Sequence, residues 1–145
     1  MNKDEVAVAA GNISGSMSKA QYKAAREHIS DQYKKDRAAY KAMTGNAKHV
    51  WIEEAKGRER IAEAELKASY SPSDQHRHDL SRARIETAHA VARETCDSLS
   101  GSARAVCRNE AKGAYLAAKA EAKLAEQTVK AATRDDAQEA RRDAV

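Results

Sequence analysis

Two cysteines, Cys96 and Cys107, carry the most reactive side chains of this chain, at the ends of "CDSLSGSARAVC" around a Ser-Gly-Ser turn. Three chemistries compete for such a pair: a structural disulfide, two buried thiols of a cytosolic protein, and a metal or redox site. Zinc sites use closely spaced pairs with two further Cys or His ligands, and catalytic dithiols favour C-x-x-C. Neither pattern is present, so a staple is the leading reading. His76 and His78 in "DQHRHD" lie between Asp74 and Asp79 and form a weak candidate site for a divalent metal. Helix positions two apart point in different directions, however, and metal pairs prefer i, i+4. A solvated helix start is the stronger reading. His89 with a cysteine would need a pocket to act as a nucleophilic pair, and His28 and His49 have no evident partner. The glycines read as turns or close helix contacts rather than a phosphate loop. No catalytic constellation, cofactor or small-molecule substrate is therefore expected, and the chain reads as a non-enzyme.

The elements that must hold these residues are helices. Hydrophobic residues make up 41% of the 145, but 32 of them are Ala, only 17 are Ile, Leu or Val, and Phe is absent. Ala buries little area, so apolar burial at ~25 cal/mol per Å² has little to act on. The composition favours thin helical seams over a deep core. Ala, Glu, Lys and Arg are strong helix formers, and strand-favouring residues are scarce. A chain with 33% charged residues could stay unfolded, but its periodicity argues for folded helices. Ser18 with Gln21 is a capping-box signature for a first helix to about Met43. "TGN" breaks it, and a second helix is expected from about Ala47 to Ala68. "YSPSD" then starts a third, with Ser71 as N-cap and Pro72 in the first turn. It reaches about Leu99, and the fourth runs from Ala103 onward.

The chain also matches itself at an offset of 56 residues. "YKAMTGNAKHVWIEEAKG" aligns without gaps to "CDSLSGSARAVCRNEAKG", sharing Gly45/Gly101, Val50/Val106 and an E-A-K-G run ending at Gly57/Gly113. Each repeat reads as helix, tight turn, helix. The expected fold is all-α: tandem antiparallel helical hairpins of about 56 residues, four long helices forming a bundle or an elongated coiled-coil-like array. Residues 1–17 read as a disordered N-terminal segment, 18–70 as the first hairpin, 71–125 as the second, and 126–145 as a polar helical extension or frayed tail. Heptad steps place Val106, Glu110, Gly113, Ala117, Ala120 and Leu124 of the fourth helix on the seam facing the third.

If Cys96 faces Cys107, the antiparallel register sets Arg93 opposite Glu110 and Arg82 opposite Glu121. The same register in the first hairpin sets Tyr40 opposite Trp51, Arg37 opposite Glu54, and Arg26 opposite Glu65. Two Arg–Glu pairs thus recur, and an aromatic pair of Tyr40 with Trp51 stands where the second hairpin has cysteines. A disulfide across this turn implies an oxidising compartment.

Net charge is +4, with basic and acidic residues interleaved as on a solvated face. A nucleic-acid binder would cluster its cations and supply stacking aromatics, so no nucleic-acid partner is expected. No stretch approaches the ~20 apolar residues of a membrane span. "VAVAA" is too short for the apolar region of a signal peptide. Either the protein is cytoplasmic, or this chain follows a removed signal.

The pattern C-D-x-L-S-G-x-A-x-x-V-C-x-x-E-A-K at Cys96 to Lys112 and the stretch Glu54 to Ser73 resemble a family of small exported, Ala/Lys-rich repeat proteins of Gram-negative, chiefly beta-proteobacterial, origin. The resemblance covers about Ser18 to Lys123. It implies a periplasmic location and brings no activity. Tyr40 and Trp51 depart from it, standing where the first unit usually carries cysteines. The expected role is structural, stress-related or protein interaction, including self-association. A module holding unfolded clients or envelope partners and a weak metal binder at His76/His78 are the alternatives.

Overall fold

The computed structural model describes residues 17–144 as four helices: α1 (Lys19–Tyr40), α2 (Gly45–Tyr70), α3 (Asp74–Cys96) and α4 (Gly101–Asp143). The fold is all-α. Of the expected N-terminal segment, residues 1–16 lie outside the described residues.

Helix starts follow local chemistry. Ser18 Oγ accepts from the Gln21 amide at 3.1 Å, and Gln21 Oε1 accepts from the Ser18 amide at 2.9 Å. This reciprocal box satisfies two donors that a helix start otherwise leaves open. At α3 the cap is Ser73 rather than the expected Ser71: its hydroxyl accepts from the His76 amide at 3.0 Å. Ser71 instead ends α2, its amide bonding the Lys67 carbonyl. Pro72 bridges the two, and Asp74 places an anion in the first turn of α3, where the helix dipole favours it. The two hairpin turns share one backbone device. Gly45 and Gly101 take φ of +67° and +58°, a left-handed conformation that glycine adopts without a Cβ penalty.

The helices pack in chain order, α1 on α2, α2 on α3 and α3 on α4. The two hairpins therefore lie side by side through α2 and α3, not end to end. The core is thin. Ala55, Leu66, Ala83 and Cys96 are its buried apolar members, and Asp36 is a buried acid. Close approach substitutes for bulk: a Cβ on Gly57 would collide with the Thr87 side chain across the α2–α3 interface. At ~1.5 Å per residue, α4 is about 65 Å long, far beyond its neighbours. Residues 127–144 are all exposed, and the expected polar extension is helical through Asp143.

Candidate functional site

Cys96, the last residue of α3, is 1% exposed and is disulfide-bonded to Cys107 in the second turn of α4, with Cα atoms 5.6 Å apart. Two arginines of α4 close the same tip. Arg104 donates through Nε to the Leu99 carbonyl at 2.8 Å and through Nη2 to the Asp97 carbonyl at 3.2 Å. Arg108 Nη2 donates to Asp97 Oδ1 at 2.6 Å, which holds the Asp97 carboxyl below the usual aspartate range. Cations belong at this place, where the carbonyls at the end of α3 lack helical partners.

The first hairpin is tied differently. Trp51 and Tyr40 do not pair ring to ring. The indole Nε1 donates to the Asp36 carbonyl at 2.9 Å, while Tyr40 Oη accepts from Arg37 Nε at 3.2 Å. A buried indole N–H requires an acceptor, and the Asp36 carbonyl, one turn back along α1, draws the ring past Tyr40. Arg58 completes this node. Its guanidinium lies 4.8 Å from the Trp51 ring centroid, and its Nε donates to Asp36 Oδ2 at 3.3 Å. Gln32 Nε2 donates to the other Asp36 oxygen at 3.3 Å. Asp36 falls at heptad spacing with Ile29, Tyr33 and Tyr40, a pattern that does not by itself identify these partners. The signal was an acid at that helical spacing and an Arg two turns after the facing Trp.

The open ends of the hairpins also correspond. Tyr22 stacks on Tyr70 with centroids 4.3 Å apart. The positions 56 residues later are His78 and Glu126, whose Nδ1 and Oε1 stand 3.7 Å apart. Arg82 joins them, bonding Glu126 at 2.9 Å and Asp79 at 3.5 Å. With Ile85, Glu86 and Lys119 these residues border an open groove of about 430 Å³ between α3 and α4. Beside it His89 stacks on Tyr115, centroids 4.1 Å apart, and Tyr115 Oη donates to Glu86 at 2.5 Å.

None of the four expected inter-helix ion pairs is present among the described residues. Arg82 takes Glu126 in place of Glu121, and Glu65 takes Arg84 of α3 at 3.0 Å in place of Arg26. Arg26 lies over the Tyr22 ring instead, Arg37 turns to Tyr40, and Arg93 and Glu110 do not meet; nor do Arg37 and Glu54. Long guanidinium stems on an exposed face take the nearest acceptor, and exposed pairs at ~0–1 kcal/mol do not set register. His76 and His78 diverge. His76 lines a groove between α2 and α3, its Nδ1 on the Ser71 carbonyl, whereas His78 faces α4. Among the described residues no three His, Cys, Asp or Glu side chains converge as a metal site.

The fourth helix carries a further correction. Its α3-facing side runs through Cys107, Ala111, Tyr115, Ala118, Ala122 and Glu126, while Val106, Glu110, Gly113, Ala117, Ala120 and Leu124 are exposed. Helical steps counted from the disulfide itself give this face, since adjacent residues 106 and 107 point about 100° apart. The stripe expected on the seam is thus on the outside, with Val106 56% and Leu124 62% exposed. Among the described residues no helix is long and apolar enough to cross a membrane. No family model, no curated protein and no solved structure matches the chain.

Proposed function

We propose that this is a non-enzymatic helical protein of the periplasm that acts through protein–protein contact. The observation that carries the reading is the set of exposed apolar side chains on α4: Val106, Leu116 and Leu124 lie on a helix whose α3-facing side already serves the fold. Large apolar side chains on the unpartnered side of a helix are available to a partner's surface. The compartment is supported by the Cys96–Cys107 bond, which an oxidising environment maintains, and by the Cys-spaced motif at Cys96 to Lys112, through which the chain resembles a family of small exported proteins.

Two measurements test this. Alkylating thiols in intact cells before fractionation should leave the mass of the protein unchanged, whereas two adducts would remove the periplasmic assignment. Holding of unfolded clients is the second reading, and the same side chains favour it. Light scattering of a heat-aggregating enzyme should fall when the protein is added in several-fold molar excess, and Leu124→Glu should weaken that effect. No suppression at such an excess would eliminate client holding.

A further inference from the structure

The two signs of charge alternate along the sequence, but on α1 they separate in space. Helix α2 carries five residues of each sign and α3 four of each, whereas α1 carries six basic and three acidic side chains. One of those acids, Asp36, is buried and held by Arg58 and Gln32. The cations are not spread around the helix. Lys19, Lys23, Arg26, Lys34, Arg37 and, at the C-cap, Lys41 follow one another at steps of three or four, with Ser30 filling the one gap. At ~100° per residue these positions share an arc of about 80°, and the row is about 33 Å long. All six are exposed. The other charged groups of α1 lie off the row. Glu27 and Asp31 are about 60° and 100° from its centre, and Lys35 and His28 are further round.

The fold does not call for this arrangement. Among the described residues none of the six cations has an acid at ion-pair distance. Glu59 of α2 acts on the Arg37 charge from further away. Like charges three or four positions apart weaken a helix. Lys19 also opens a first turn that contains no acid, where the helix dipole favours an anion. Tyrosines steady the two guanidinium groups without neutralising them. Arg26 lies 5.8 Å from the Tyr22 ring centroid, and Arg37 lies 5.8 Å from that of Tyr33 while donating to Tyr40 Oη.

We propose that α1 is a docking edge for an anionic lipid surface, its row of cations lying against headgroup phosphates. Helix α1 ends the layer and packs on α2, so the row lies on a ridge and not in a cleft. A free phosphate meets two neighbouring cations there, whereas a flat anionic surface meets the whole row. A nucleic acid is served less well, because no ring is open to stack on bases. Tyr22 stacks on Tyr70, and Tyr33 and Tyr40 are half-buried beside Arg37. The apolar side of α1 is already packed on α2, so the helix rests on headgroups without inserting. A lipid surface is a partner of a different kind from the protein contact proposed for α4, and the inference does not depend on that contact.

Cosedimentation of the full chain, disulfide intact, tests this. The protein should pellet with vesicles of phosphatidylcholine and phosphatidylglycerol and stay in solution with phosphatidylcholine alone. Added salt should release it, because exposed charges are screened. Lys23→Gln combined with Lys34→Gln should weaken binding roughly 25-fold, about fivefold per cation, with unchanged helicity. Lys112→Gln combined with Lys130→Gln removes the same net charge from exposed positions of α4 and should leave binding at the wild-type level. Equal weakening by both pairs would reduce the effect to net charge and overturn the docking edge. No binding to the anionic vesicles at low salt would do the same. Retention of duplex DNA without vesicle binding would assign the row to a nucleic acid instead. Inorganic phosphate should compete no better than sulfate at equal ionic strength, and selective competition would replace the surface with a phosphate site.

Discussion

Gly57 and Gly113 occupy corresponding positions in two helices but respond to different surroundings. Glycine in a helix interior is about 1 kcal/mol less favourable than alanine. Gly113→Ala should therefore raise the stability of the dilute protein by about that amount, because the added methyl meets nothing. Gly57→Ala should lower stability by about 1–3 kcal/mol, the scale of overpacking, because the Thr87 side chain blocks the methyl. Paired urea melts check both signs. Asp97 offers a pH test at the same scale. Its carboxyl is lowered chiefly by the hydrogen bond from Arg108. A carboxylate depressed in the folded state contributes stability above its ordinary range and loses it as pH falls through the lowered value. Melting temperatures of wild type and Asp97→Asn should differ by a constant amount from neutral to mildly acidic pH and converge only in stronger acid. Convergence near neutrality would contradict the Arg108 contact.

Each hairpin must hold the turn ends of two long helices together with little apolar bulk nearby. The second does so covalently. Closing this short loop is worth about 3 kcal/mol at most. Replacing both cysteines with alanine should lower stability by up to that amount. Amide exchange should accelerate around residues 96–107 and change little in 18–70. The first hairpin uses the Trp51–Asp36–Arg58 node in its place. Trp51→Phe keeps a ring beneath the guanidinium but leaves the Asp36 carbonyl without its donor. The expected cost is about 1 kcal/mol, the net value of one such hydrogen bond, read from chemical denaturation. Neither tie was readable in full. The cysteine spacing was legible because a disulfide tolerates a narrow geometry. The Trp51 node was not, because the indole has several acceptors within reach and only the packed geometry selects Asp36.

The whole molecule is a one-layer sequence of helices, each resting on its chain neighbours, with two unequal open ends. One is α1 with its basic row, and the other is α4 with its exposed apolar side chains. Beyond Glu126, α4 has no buried residue. Truncation after Lys130 should reduce the far-ultraviolet helical signal while leaving the melting temperature nearly unchanged. A large drop would show that the extension supports the hairpins. Contacts between neighbouring helices are short in sequence, so folding should be fast, in the microsecond-to-millisecond regime of local topologies. Stopped-flow refolding with the disulfide intact checks this.

The order and approximate limits of the helices, the glycine turns and the meeting of Cys96 with Cys107 were all determined by the sequence itself. They depend on local propensity, caps and a turn too short to allow other pairings. Which face of each helix meets which neighbour was decided only in three dimensions. The rotation of α4 about its axis turned Val106 and Leu124 outward and Tyr115 inward. The ion partners of Arg82 and Glu65 likewise depended on which side chains came within reach. An Ala-rich helix offers several faces of similar hydrophobicity, so pattern alone chooses weakly among them. Small contacts made the choice: a disulfide, a glycine under a threonine, and an indole seeking a carbonyl.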